Sequence, residues 1–422
     1  MDLLIKSAVV VHNGSPHHMK KRDILIRKGK IEKIAARIEH EGQVFKASNL
    51  HVSIGWFDLR ANFCDPGNEH REDICTGLQS ARKGGFTGVC IVPETSPPLC
   101  TKSHIDYVRN RSKGSCVELY PCGTVSANRE GKQMAELFDM RASGAVAFTD
   151  GKQPMANAAL LSTAMLYARN FNGLIITFPL EPSLSNKGQM HEGDVSTQLG
   201  MKGIPALAEE LMVARDLKLC EYNEARIHFT GVSTEGALSL IREARKKGLN
   251  VSCDVYAHNL LLTDKDLKDF DQQKKVMPPL RDEPHRKALI KALKDGTISA
   301  ICSDHSPYEV ERKNVEFEHA AFGIIGLESS FGVLNKALHK ALPLDAIIEK
   351  ISSSPREVLG LAVPEITEGA PANLTLFDPD AEWVLNKSEL RSKSINTPFL
   401  GETLRGKALA IYNDGRLDPC ER

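Results

Sequence analysis

The chain has 422 residues, 41% of them hydrophobic and 26% charged, so it can bury a large core and suits one big domain plus a small one. Lys+Arg and Asp+Glu balance at 54 each, which leaves no global charge to steer the chain to nucleic acid or to a membrane. There is no secretory signal or bilayer-length apolar run, and the ten cysteines are scattered without a C-x-x-C pair, as expected of reduced thiols in the cytoplasm.

The first stretch reads as strands at 3–12, 23–28 and 30–36, split by the turn residues Asn13-Gly14 and Lys28-Gly29-Lys30. The middle alternates β-rich runs with amphipathic ones. Its predicted strands are 53–59, 86–92, 117–124, 144–149, 173–179, 226–232, 250–256 and 298–303. Predicted helices between them cover 72–83, 130–142, 155–170, 204–220, 234–247 and 284–294. Eight strand-then-helix units predict a closed parallel (β/α)8 barrel over residues 53–361. The tail returns to strands at 373–378 and 407–412, so residues 1–52 and 362–422 together predict a small composite β-sandwich domain.

A series of short blocks runs through this frame. They include Gly84-Gly85-Phe86-Thr87, Gly144-Ala145-Val146-Ala147-Phe148, Met190-His191-Glu192-Gly193, Pro278-Pro279-Leu280-Arg281, Ser303-Asp304-His305-Ser306-Pro307, Phe322-Gly323-Ile324-Ile325-Gly326-Leu327-Glu328 and Glu368-Gly369-Ala370-Pro371-Ala372-Asn373-Leu374. In this order they resemble dihydroorotase of the class I or multifunctional-complex type, a cyclic amide hydrolase of pyrimidine biosynthesis in the amidohydrolase superfamily. The resemblance implies a barrel whose chemistry sits at the C-terminal strand ends, where two zinc ions are held by a His-x-His pair, a bridging carboxylate, two further histidines and a final aspartate.

This chain departs from that set repeatedly. Arg60 and Asn62 stand where the His-x-His pair belongs, Phe178 and Gly231 where the further histidines belong. Asp304 is retained, and Asp150 in Thr149-Asp150-Gly151 is the expected bridging equivalent. Two aspartates facing an arginine are a poor zinc site, so no metal and no cofactor are expected. The loss is large: lowering the pKa of bound water from roughly 15.7 to about 7 is worth on the order of 12 kcal/mol, against about 10² to 10⁴ in rate from a general base. Asp304 is therefore expected to stand idle.

The positions that the resemblance assigns to substrate are altered too. They carry Cys64 and Glu94 where an arginine and an asparagine would grip the dihydroorotate carboxylate, and Met277 and Tyr308 where an asparagine and a histidine belong. A carboxylate in place of a neutral amide repels an anion. Because the first and eighth strands of a closed barrel are neighbours, Arg60 is expected to reach Asp304, and with it Asp150, as a counter-charge.

Among the remaining residues, His228 reads as a satisfied core histidine, His305 as facing away from Asp304 toward a loop, and His258 as a pocket residue. His70 opens the first barrel helix, and His17-His18 lies in a surface turn. Cys64 supports a rival reading, a metal-independent hydrolase with His305 or His258 as its base. A further alternative is an active dihydroorotase, or a related cyclic amide hydrolase, with unorthodox metal ligands. The pattern resembles that of non-catalytic homologues that support the oligomer of aspartate carbamoyltransferase. The resemblance thus implies a pseudoenzyme partnered by that transferase or by copies of itself, with no nucleic acid and no membrane.

Overall fold

The computed structural model describes residues 2–420. The fold is mixed α/β, and its strands fall into two systems set by sequence pattern. Strands β1 (Leu3–Val10), β2 (Lys21–Arg27), β3 (Lys30–Ala35), β4 (Gln43–Phe45) and β5 (His51–Ile54) come from the first stretch. Their neighbours in the following stretch, β6 (Trp56–Ala61), β7 (Phe86–Ile91), β8 (Glu118–Pro121) and β9 (Leu174–Thr177), belong to a parallel system. The two-residue strands β10 (Met190–His191) and β11 (Gly203–Ile204) pair with each other. The parallel system continues with β12 (Arg226–Phe229), β13 (Val251–Tyr256) and β14 (Ala300–Cys302), and the chain ends in β15 (Leu374–Val384), β16 (Thr403–Asn413) and β17 (Arg416–Pro419).

The terminal strands lie in one mixed sheet of eight strands, ordered β17-β16-β15-β5-β1-β2-β3 with β4 beside β1. These strands are joined in a single hydrogen-bonded sheet, with Ile5, Val10, Ile24, Val52, Leu374, Leu376 and Tyr412 in one buried apolar cluster. Both ends of the chain meet where β5 pairs with β15.

Parallel pairings join β6 to β7 and β7 to β8, and β9, β12, β13 and β14 in that order. Phe148 bridges to Gly123 and to Ile175, linking the two groups, and Ala61 pairs in parallel with His305 just beyond β14. Every residue of β6, β7 and β9 is buried, as in a sheet covered on both faces. One face is covered by helices Ile74–Lys83, Ala158–Arg169, Ala206–Asn223, Glu235–Lys246 and Glu283–Lys294. Between the strands themselves pack Phe57, Leu59, Cys90, Val146, Ile176, Tyr256 and Cys302.

Three boundaries differ from the sequence pattern for physical reasons. The predicted strand 53–59 is two strands broken at Gly55, where a Cβ would lie 2.0 Å from both Asn373 Oδ1 and Thr87 Oγ1. The 144–149 run makes only the Phe148 bridges rather than a full strand. Of the predicted helix 130–142 only Leu137–Ala142 is helical, the preceding residues being drawn into a turn in which Asn128 and Arg129 take φ of 54° and 61°.

Candidate functional site

The residues singled out at the strand ends converge on a buried charged cluster. Asp304 follows β14 with a left-handed φ of 50° and is fully buried. Its Oδ1 accepts from Arg60 Nε at 3.1 Å and its Oδ2 from Lys152 Nζ at 2.7 Å. Burial pushes the Asp304 carboxyl up from its ordinary range, and the Lys152 and Arg60 charges oppose that rise. Arg60 Nη2 also lies 3.5 Å from Glu94 Oε1, which Arg129 Nη2 approaches to 3.4 Å. The Lys152 backbone N–H donates to Glu94 as well. Burial would raise the Glu94 carboxyl, yet Arg60, Arg129 and Lys152 together hold it below the usual range.

Asp150 is placed differently from expectation. Its Oδ1 accepts from the backbone N–H groups of Val125 and Ser126, at 2.9 and 3.0 Å, and its Oδ2 from the Ser126 hydroxyl. It ties down the loop after β8, and Arg60 pairs with Asp304 and Glu94 instead. The cation that joins Arg60 at Asp304 is Lys152, which strand periodicity does not reveal because it lies in a turn beyond Gly151. A Cβ at Gly151 would stand 2.0 Å from Glu94 Oε1.

The positions where the resemblance leads one to expect histidines and an asparagine are occupied otherwise. Phe178 packs with Leu180, Ile204 and Ala208, and Met277 joins the same apolar cluster. Gly231 has a φ of 69°, and a Cβ there would meet the Tyr256 ring at 2.7 Å. Tyr256 is buried, with the Arg60 guanidinium 6.0 Å and the Lys152 ammonium 5.5 Å from its ring centre. Asn62 turns its Oδ1 to the Cys64 backbone N–H at 2.8 Å. Tyr308 stacks under Arg71, whose guanidinium lies 5.1 Å from the ring centre.

The histidines and Cys64 resolve as follows. His228 Nδ1 meets Ser252 Oγ at 2.7 Å and its Nε2 meets Asp254 Oδ2 at 2.9 Å, a satisfied interior pair. His305 Nδ1 accepts from the Gly326 and Leu327 N–H groups, which leaves Nε2–H for Glu72 at 3.4 Å. His258 is buried with neither ring nitrogen hydrogen-bonded, and burial, then Lys152, pushes it down to about 3. Burial pushes the Cys64 thiol up to about 12, with Glu72, Glu94 and Glu309 adding to the rise. That thiol is a poor source of thiolate, so the arrangement gives the Cys64 hydrolase reading no support.

The expectation of a chain without a cofactor is overturned. His191, Asp282 and His285 each offer a ligand atom, and these atoms lie within 4.8 Å of one another. Two imidazoles and a carboxylate are a donor set that zinc accepts, and zinc is what the family resemblance implies. The group lies outside the strand-end cluster, on β10 and the start of helix Glu283–Lys294, and sequence reading missed it because its members are remote in the chain. In the hydrogen-bonded arrangement present, His191 Nδ1 accepts from Arg281 Nη1 at 3.1 Å and His285 Nδ1 from the Glu235 N–H at 3.1 Å. Each Nε2 then carries the proton, so a metal at Nε2 would require the ring to move that proton to Nδ1 and give up the bond accepted there. At the strand end, by contrast, two cations contact Asp304, one on each carboxylate oxygen, so that carboxylate does not fit the ion.

A dihydro-orotase-like family profile matches residues 51–236. A dihydroorotase from Pelotomaculum thermopropionicum is 39% identical over 421 residues, covering 99% of this chain and 98% of the relative. Another from Ruminiclostridium cellulolyticum is 40% identical over 413 residues, covering 96% of each. The chain belongs to the dihydroorotase family. The L-hydantoinase of Arthrobacter aurescens shares its fold, with a TM-score of 0.84 at 22% identity over 99% of this chain and 95% of that one. No helix among the described residues is long and apolar enough to cross a membrane.

Proposed function

We propose that this dihydroorotase-family protein does not hydrolyse dihydroorotate and serves pyrimidine biosynthesis as a structural partner of aspartate carbamoyltransferase in the cytoplasm. The observation that carries the first half is the double engagement of Asp304 by Arg60 and Lys152, one cation on each carboxylate oxygen. A guanidinium and an ammonium supply the charge balance that metal ions supply in the resemblance, but neither makes water nucleophilic at neutral pH. In this reading the parallel pairings form a closed (β/α)8 barrel over residues 53–361, with 1–52 and 362–422 as a second domain. The barrel is kept for its shape, since fold and chemistry are separable. The transferase is inferred from the resemblance to non-catalytic homologues.

The test is a turnover assay with dihydroorotate on protein loaded with zinc and assayed for zinc content. No hydrolysis above the uncatalysed rate is expected. Measurable turnover would instead support the second reading, an active cyclic amidohydrolase with unorthodox ligands, which the His191, Asp282 and His285 group favours. Co-purification with aspartate carbamoyltransferase at a defined stoichiometry is expected, and failure of the two purified proteins to associate would reject the partnership.

A further inference from the structure

The loop after β7 carries a thiol and a base that the strand-end cluster does not use. Cys100 Sγ lies 3.9 Å from His104 Nδ1 and 3.7 Å from Asn128 Oδ1. The Cys100 backbone N–H points at the same Nδ1 at 3.4 Å, so this nitrogen faces donors and presents its lone pair to them. Burial, partly offset by a hydrogen bond with the Pro98 carbonyl, holds His104 below the ordinary histidine range, which keeps the ring a free base at neutral pH. Both residues are half-exposed, and Cys100 sits just before the N-terminus of the ten-residue helix Lys102–Arg111, which carries His104.

We propose that Cys100 is the reactive thiol of this chain and a site of S-thiolation by small disulfides, with His104 as the base that takes its proton. The Cys100 S–H proton passes to His104 Nδ1, and the thiolate attacks one sulfur of a low-molecular-weight disulfide. A new S–S bond forms at Cys100 as the old one breaks. The departing thiolate then recovers the proton from His104, so the Cys100 sulfur is oxidised and one sulfur of the reagent is reduced.

The other cysteines provide the contrast. Cys64, Cys90, Cys116, Cys122, Cys220, Cys253, Cys302 and Cys420 are buried. Cys75 is more exposed than Cys100, but among the described residues its sulfur has Gln79 Nε2, at 3.5 Å, as its hydrogen-bond partner and no base. Exposure alone therefore ranks Cys75 first, whereas the thiol and imidazole geometry ranks Cys100 first.

The experiment treats the full chain with oxidised glutathione at pH 7 and follows each cysteine by peptide mass spectrometry, in wild type, H104Q and C100S. Cys100 should be modified at least about tenfold faster than Cys75 in wild type. In H104Q its rate should fall to within about threefold of that of Cys75, and its pH–rate profile should lose the plateau set by the imidazole. C100S should leave Cys75 as the first site. Cys75 reacting first in wild type, or Cys100 reacting equally fast in H104Q, would overturn the proposal. The wild-type ranking needs no variant to fold.

Discussion

Arg60 Nε lies 3.1 Å from Asp304 Oδ1, and both side chains are sealed from solvent. Removing one partner of such a pair leaves an uncompensated buried charge, a loss of about 3–5 kcal/mol when no other counter-ion is present. Lys152 stays on the second oxygen, so R60M is expected at the lower end, about 3 kcal/mol, read from urea unfolding. D304N should cost a similar amount, because it takes the carboxylate away from the Lys152 ammonium while Arg60 keeps Glu94. The double variant R60M/D304N should be more stable than the two single losses predict. Strict additivity would show that the pair contributes nothing specific.

Gly231 and Tyr256 explain why no larger side chain fits just beyond β12. A side chain at Gly231 needs both a left-handed backbone and the space of a tyrosine ring. G231A should therefore lose about 2–4 kcal/mol, from roughly 1 kcal/mol or more of backbone strain plus about 1–3 for overpacking. Y256V in the same chain should recover the packing part and leave the strain. Equal thermal unfolding of G231A and wild type would contradict this account of the site.

How far the residues disclosed this structure depends on whether local pattern or remote packing decides. The buried runs at β7 and β9 are legible because strands covered on both faces read as near-continuous apolar runs. Arg60 beside Asp304 is legible from strand adjacency, and His228 from its apolar setting. Lys152 is not, since it reaches Asp304 from a turn, where no periodicity tells which way a side chain points. The apolar joint between Phe178 and Met277 and the gathering of His191 with His285 join segments far apart in the chain. They require the tertiary fold. The break at Gly55 is likewise imposed by Asn373, a residue of the opposite terminus.

Metal retention should follow the His191 group and not the strand end. After incubation with zinc and gel filtration, H285Q is expected to lose bound zinc and D304N to keep the wild-type amount, measured by elemental analysis. Because each ring ligates only when neutral and acid converts it to imidazolium, zinc affinity should fall as the solution is acidified. Loss of zinc in D304N with retention in H285Q would move the ion to the strand end and remove the case for an inactive centre.

Asp58, buried on β6, accepts from both the Ser303 N–H and the Ser303 hydroxyl at 2.7 Å. Burial, only partly offset by these bonds, pushes its carboxyl up to about 7. The folded state therefore holds a proton that the unfolded chain gives up near pH 4. This contribution to stability is present in full below that pH and is lost as pH rises through about 7. That rise corresponds to roughly 4 kcal/mol. His258 and His191, lowered to about 3 and about 4 by burial, act in the opposite sense, adding stability as pH rises toward the ordinary histidine range. Their effect is common to wild type and D58N, so the difference between the two proteins isolates Asp58. The amide introduced by D58N keeps a carbonyl acceptor for the Ser303 N–H without a titrating proton. Urea unfolding from pH 4.5 to 8 should show wild type losing roughly 3–4 kcal/mol relative to D58N across that range. Parallel profiles would mean that Asp58 stays charged in the fold.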